Sequence, residues 1–467
     1  MRTVSLVERI EFEYKGNLFS KAVALGDVDN DQGNELILGN VHGELCIYKG
    51  RTATPWRKCT DLGMITCVEV GNILNDGKNY AVTLCVEGWC HIIRVKSGLP
   101  VEPTNEQEEN PLESICKVIK PFHQQQLAAN SKVLLIADIN GDGHNELVIG
   151  YSDRRVRAYR WVEESETEAS SVCDTCSGKF VLVETWQLAG QIGSMTIHKK
   201  QDGVTDLMVS QPGGTFVTLY CTKEEPLPTP AQIEPVHTLE IPREEAEKPD
   251  IVQEDDTESS ETGERIEGPY LIYHPLGSSR ARNPSVTTEV VGNISRQKKE
   301  ADSTESSYAA VCLLDGTITL VDDDDKILWS LYVNQQLFTL TKLDVTGDGI
   351  EEVIACSWDG QTYIVDLSKE VVRFHLGENV AAFCAGYYAV DGNENVPCFI
   401  YATFNDTVVA FYNIKMSHIG TPDLIQVMSE KPQTRNLLAK FDLDASNTTE
   451  LRELYQWCLY GMPQLGT

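Results

Sequence analysis

The chain has 467 residues and a formal net charge of −31, with 70 acidic against 39 basic side chains. So acidic a surface excludes nucleic acid and unaided binding to anionic membrane, because both would repel it. No apolar segment follows Met1 and no run approaches the ~20 residues needed to cross a bilayer; together with fourteen cysteines in no framework spacing, this predicts a cytosolic protein.

At the start of the chain Ile10, Phe12 and Tyr14 alternate with Glu11 and Glu13, the pattern of a strand with one buried face. A complete unit follows at Val23 to Tyr48: an apolar strand, the loop DVDNDQGNE, the strand ELILG, a turn at VHGE, and LCIY with period two. A weaker copy runs from Cys67 to Val95. After a polar stretch at 97–115 the unit returns with the loop DINGDGHNE before LVIG. A second polar stretch, 162–179, carries Cys173 and Cys176, a lone CxxC without the second pair that a structural zinc site needs. A fourth copy spans Gly193 to Tyr220.

Residues 240–267 then hold twelve carboxylates against three basic side chains. With so little apolar content, 222–285 is predicted to be a mostly disordered acidic insert between the fourth and fifth units. The fifth unit, Glu289 to Val321, is split by a polar stretch at 295–307, and the Asp322–Asp325 run after it predicts a solvated turn. The sixth carries DVTGDGIEE before VIAC, and the seventh spans Ala382 to Tyr412. Within these strands Cys85, Cys356, Cys384 and Cys398 read as small core residues. The sequons at Asn293, Asn405 and Asn447 have no role in a cytosolic chain. A further apolar stretch, Ile419 to Val427, leads to Asn447-Thr-Thr-Glu450. That spacing caps an amphipathic helix over about 448–460, with Leu451, Leu454, Tyr455, Cys458 and Leu459 at helical intervals.

Seven copies whose uninterrupted neighbours start about 45 residues apart match four-stranded propeller blades. One such sheet cannot hide both faces from water, whereas seven arranged radially bury each face on a neighbour. The expected fold is all-β: a seven-bladed β-propeller over 1–415, its last blade completed by residues 4–15 so that no edge is left open. Residues 416–467 form a C-terminal extension.

The strong loops place oxygen side chains at positions 1, 3, 5 and 9, with a backbone carbonyl at position 7, a spacing that can surround a hard cation such as calcium. In the first these are Asp27, Asp29, Asp31 and Glu35; in the third unit, Asp138, Asn140, Asp142 and Glu146; in the sixth, Asp344, Thr346, Asp348 and Glu352. Gly33, His144 and Ile350 would supply the carbonyls. The same residue types also make self-bonded turns without metal, so calcium is an optional guest and no cofactor is required. The second loop keeps only Asn72 and Asp76, and the fourth has His198 and Lys200 in place of ligands. Both are expected to be metal-free.

The loops DINGDGHNELVIG and DVTGDGIEEVIAC, each between apolar strands, resemble the FG-GAP repeats of integrin α-subunit propellers. The resemblance covers most of residues 4–415, with Leu25-Gly26 the nearest approach to a Phe-Gly pair. Among intracellular members the whole chain, from VERIEFEYKGNLFSKAVALGDVDND onward, is similar to the integrin-alpha FG-GAP repeat-containing family of the KICSTOR complex. That resemblance implies a non-enzymatic scaffold subunit whose partners are kaptin and other KICSTOR subunits. Through them it would help place the GATOR-type Rag GTPase-activating complex on lysosomes, negatively regulating TOR kinase when nutrients are short, with the chain cytoplasmic and only peripherally lysosomal. The alternatives are a calcium-dependent cell-surface recognition propeller of integrin-α type and a propeller hydrolase or lyase. Against the last, the nine histidines show no HxH or HExxH spacing and no GxSxG or GxxxxGK[ST] motif is present.

Overall fold

The structure, a computed structural model, describes residues 2–96, 117–163, 178–200, 205–221, 270–275, 286–295, 307–324, 326–420 and 447–461, with isolated residues at 432, 436 and 440. Their strands fall into seven sheets, each built on four antiparallel strands, with Arg2–Thr3 added parallel to Val371–His375 and Lys117–Val118 parallel to Arg57–Cys59. Blade 1 is Val23–Gly26, Glu35–Gly39, Leu45–Tyr48 and Arg57–Cys59, and blade 2 is Ile65–Gly71, Tyr80–Cys85, Trp89–Ile93 and His123–Gln126. Blade 3 comprises Ser131–Ala137, Glu146–Tyr151, Arg155–Glu163 and Gly178–Gln187. Blade 4 has Met195–Lys199, Thr205–Gln211, Thr215–Tyr220 and Tyr270–Pro275; blade 5 has Thr288–Ile294, Tyr308–Leu313, Thr317–Val321 and Ile327–Tyr332. Blade 6 is Leu337–Leu343, Glu352–Ser357, Gln361–Val365 and Val371–His375.

Blade 7 contains Val380–Asp391, Glu394–Thr403 and Val408–Tyr412, and its outer strand is Arg9–Phe12, paired antiparallel with Val408–Tyr412. The chain ends therefore close the ring as expected. First strands of successive blades touch all the way round, blade 7 against blade 1 included. The fit is tight: a Cβ on Gly26 would lie 2.7 Å from Val70 of blade 2.

Strand periodicity explains how the core is divided. Side chains alternate between the two faces of a sheet, and each face meets a different neighbour. On Glu35–Gly39, Leu36 and Leu38 pack toward blade 7 while Ile37 packs toward blade 2. On Glu146–Tyr151, Leu147, Ile149 and Tyr151 face blade 2 and Val148 faces blade 4. The described residues form seven apolar clusters, one at each blade–blade interface.

Several boundaries differ from those expected. The strand Tyr270–Pro275 lies inside the stretch assigned to the acidic insert, and it pairs with Thr215–Tyr220 as the outer strand of blade 4. The long polar stretch thus interrupts blade 4 rather than separating blades 4 and 5. Strand pairing is non-local, and YLIYHP has its partner some fifty residues back. The hairpin of blade 3 also extends into the 162–179 stretch, where Glu163 pairs with Gly178. Met416 and Ile419, placed in the extension, are buried between blades 6 and 7. Residues 222–269, 276–285, most of the shorter polar stretches, the CxxC and residues 421–427 lie outside the described residues.

Among the described cysteines all are free; Cys85, Cys356 and Cys398 are buried and Cys384 is half-buried. The helix Thr448–Tyr460 begins at Asn447, whose side chain accepts from the backbone N–H groups of Thr449 and Glu450. Tyr455, Trp457, Leu459 and Tyr460 are exposed. No described helix is long and apolar enough to cross a membrane.

Candidate functional site

Every strong acidic loop joins the first strand of a blade to the second, so all three lie at the same end of the propeller. Their backbones share one conformation. Positions 4 and 6 are left-handed in each: Asn30 and Gln32 (φ 63° and 77°), Gly141 and Gly143 (77° and 86°), Gly347 and Gly349 (74° and 86°). Two loops meet this demand with glycine, and the first uses Asn and Gln.

The position-1 carboxylate holds that turn from within. Asp27 accepts from the N–H groups of Asp31 and Gln32 at 3.0 and 2.8 Å, and Asp344 accepts from those of Gly347 and Gly349 at 2.6 and 2.9 Å. Asp138 accepts from Gly141, Asp142 and Gly143. At position 9, Glu35, Glu146 and Glu352 reach back to the N–H groups of Val28, Ile139 and Val345. All three glutamates are buried. Burial pushes Glu35 up to about 7, against the opposing pull of Lys49, and Glu352 also to about 7. Burial raises Glu146 as well, against the pull of Arg160.

The loops differ in what their carboxylates surround. Asp29 Oδ2, Asp31 Oδ2 and Glu35 Oε1 converge on Lys49 Nζ at 2.7, 2.6 and 2.7 Å. The Trp56 ring lies 5.0 Å from the same ammonium. In blade 3, Arg160 donates from Nε to Glu146 Oε1 at 2.9 Å and from Nη2 to Glu146 and to Asp142 Oδ2, the last at 2.6 Å. Asn140 hydrogen-bonds Asp142 instead of facing a shared centre. In blade 6, oxygens of Asp344, Asp348 and Glu352 lie within 4.8 Å of one another, and among the described residues no basic side chain is ion-paired to them. Thr346 is present as a donor, its hydroxyl bonding Glu352 Oε1 at 3.1 Å.

Loop asparagines also tie several neighbouring blades together. Asn30 and Asn79 exchange bonds between blades 1 and 2; Asn75 and Asn145 do the same between blades 2 and 3. The blade 7 hairpin grips the first loop: Asn395 accepts from Asn34 N–H and donates to Gln32 O, both at 2.8 Å, while Asn393 donates to Asp31 O at 2.7 Å. Sequence reading missed these bonds, since each joins residues from different repeats.

The opposite end of the channel is different in chemistry. Lys21 of blade 1 meets Glu289 of blade 5 at 2.8 Å across the axis. Above them is a cavity of about 590 Å³ whose lining includes Lys132, Phe19, Phe338, Trp358 and Phe404. Phe338 and Trp358 stack at 5.9 Å, and Phe19, Trp358 and Phe404 are exposed. Of the other tryptophans, Trp161 is core, Trp56 half-buried and Trp89 exposed.

One arrangement has the outline of a hydrolytic triad. His198 Nε2 lies 3.0 Å from Asp323 Oδ1 and its Nδ1 lies 3.4 Å from Ser307 Oγ. Ser307, however, donates to Lys199 O at 2.9 Å, and Asn293 N–H points at the same Nδ1. The hydroxyl is committed to backbone, so this row latches blade 4 to blade 5. Asp323 is thereby a structural partner, although Asp322 and its neighbours do form the expected turn.

Comparison with known proteins agrees with this architecture. Residues 49–416 match the family described as integrin-alpha FG-GAP repeat-containing protein 2. The chain is 38% identical over 463 residues to the KICSTOR complex protein ITFG2 of Mus musculus, covering 98% of this chain and 96% of that one. It is 38% identical over 435 residues to the protein of the same name from Bos taurus, covering 93% and 75%. Among solved structures, the crystal structure of BBS1N in complex with ARL6DN superposes with a TM-score of 0.52 at 11% identity, covering 90% of this chain and 99% of that one, a likeness of fold alone.

Proposed function

The chain belongs to the integrin-alpha FG-GAP repeat-containing protein 2 family, and from that membership we propose that it serves as a non-enzymatic scaffold subunit of a KICSTOR-type complex. In this role it binds kaptin and other subunits of that complex and helps bring the GATOR-type Rag GTPase-activating complex to the lysosome, restraining TOR kinase signalling when amino acids are scarce. The chain itself is cytoplasmic and reaches the lysosomal surface through its partners. The observation that carries the reading is the 38% identity, spread over nearly the whole length of both chains, to the Mus musculus KICSTOR complex protein.

The geometry supports a rigid binding body. The loop asparagines and the His198 row are spent on holding blades together, and the exposed aromatic rim at the channel mouth offers apolar surface to a protein partner. Calcium enters this reading only as an accessory of the sixth loop, supported by the Asp344, Asp348 and Glu352 oxygens gathered there.

The test is purification of the tagged full-length chain from cytosol with quantitative mass spectrometry, with and without a calcium chelator. Stoichiometric kaptin and other KICSTOR subunits in both preparations support the scaffold reading. Their absence from both overturns it, and recovery only with calcium would make the sixth loop a switch.

A further inference from the structure

The spacing of all three acidic loops could surround calcium, but in two of them a basic side chain already occupies the carboxylates. We infer that Lys49 and Arg160 are the resident cations of blades 1 and 3, so that these loops keep their shape without a divalent ion.

In blade 1 the carboxylates already hold a cation. Lys49 Nζ donates to Asp29 and Asp31 at 2.7 and 2.6 Å and lies 2.7 Å from Glu35 Oε1 as an ion pair. The fourth expected ligand, Asp27, gives both oxygens to loop N–H groups. A calcium ion needs six to eight oxygens at 2.3–2.6 Å. Here it would have to displace a cation already held by three carboxylates, one of them fully buried. In blade 3 the guanidinium of Arg160 bridges Asp142 and Glu146, leaving Asn140 and Asp138 bonded within the loop. A planar fork of donors is well matched to two carboxylates.

The two basic residues are not independent accidents of side-chain reach. Leu36 pairs with Tyr48 and Leu147 with Tyr159, so Lys49 and Arg160 occupy the same register position, each fourteen places after its loop glutamate. Blade 4 reaches the same balance from the other side: buried Asp206, immediately before Leu207 as Glu35 is before Leu36, pairs with Lys200 of its own loop at 2.7 Å. Blade 6 shows that the basic residue is not imposed by the fold. Val353 pairs with Val365, and the next residue is Asp366. A cation built into the chain replaces one drawn from solution in blades 1 and 3. This goes beyond the scaffold reading and stands whether or not that reading does.

Calcium bound per full-length chain is counted by equilibrium dialysis for the natural protein and for Asp31→Asn and Asp142→Asn, with circular dichroism to verify folding. The count is expected to be the same in all three; loss of one bound calcium in either variant overturns the inference for that blade. Lys49→Ala tests it in the opposite direction, even if a carboxamide variant fails to fold. With the ammonium gone, the carboxylates are expected to repel one another, lowering Tm. Added calcium should then raise the variant's Tm by about 5 °C and move the natural protein's much less. Terbium luminescence sensitised by nearby Trp56 would report the ion at that loop. A lowered Tm that calcium does not restore still supports Lys49 as the neutralising charge. Unchanged Tm with no calcium gained shows that the carboxylates do not need Lys49, and overturns it.

Discussion

Lys21 and Glu289 are 268 positions apart and belong to blades that are not neighbours in the ring, yet they meet at 2.8 Å across the central channel. Glu289 is one-tenth exposed and Lys21 about one-third. Removing one partner leaves the other charge poorly solvated. Lys21→Met is therefore expected to lower stability by about 1–3 kcal/mol, with Lys21→Met/Glu289→Gln recovering most of it. Urea denaturation of the two variants checks this; additive losses in the double variant would show that the pair does not couple.

The shared backbone of the acidic loops can be tested at Gly143. Its φ is 86° and a Cβ there meets nothing within 4 Å, so only backbone strain opposes a side chain. Gly143→Ala is expected to cost about 1 kcal/mol and Gly143→Asn less, since Asn tolerates the left-handed region. If the two variants unfold at the same urea concentration as the natural protein, the loop is not held in this conformation.

Glu69 of blade 2 gives the channel a pH dependence. Burial raises it to about 7, with Val70 N–H and Lys21 pulling the other way. A carboxyl raised in the folded state favours the protonated form, so its contribution is complete below about pH 4.5 and is lost as pH rises through 7. Glu69→Gln is expected to flatten the fall in stability between those limits. The effect is of order 1–3 kcal/mol, read from denaturation midpoints at pH 5 and 8. An identical slope in both proteins would place the titration elsewhere.

Asn447 caps the C-terminal helix through Thr449 and Glu450 N–H. Asn447→Ala is expected to destabilise that helix by about 1 kcal/mol. Because Tyr455, Trp457, Leu459 and Tyr460 are exposed, the propeller's Tm should hold while the helical signal at 222 nm falls. A matching fall in propeller Tm would mean that the helix carries part of the core.

Much of the fold was legible because propeller signals are local and repeated. Leu36, Ile37 and Leu38 stand beside their loop in sequence, and the alternation of Ile10, Phe12 and Tyr14 was enough to assign the closing strand. The acidic loops were equally visible, and their position-9 glutamates are buried. The outer strand of blade 4 was not legible, because a largely polar stretch of 49 residues, 221–269, separates it from its partner. Lys49 and Arg160 were also missed. A signal existed, a basic residue fourteen places after the loop glutamate, but its meaning depends on a hairpin register.

Composition, period-two patterning and the recurrent Asp-rich loop determined the number of blades, the strand order within most of them and the shape of each loop. These rest on contacts between residues a few positions apart. Tertiary structure alone decided which charge answers each loop, which asparagines join neighbouring blades, and that Lys21 and Glu289 cross the channel. Ring closure brings distant repeats together, and the low-dielectric space between them makes a few opposite charges outweigh many exposed ones.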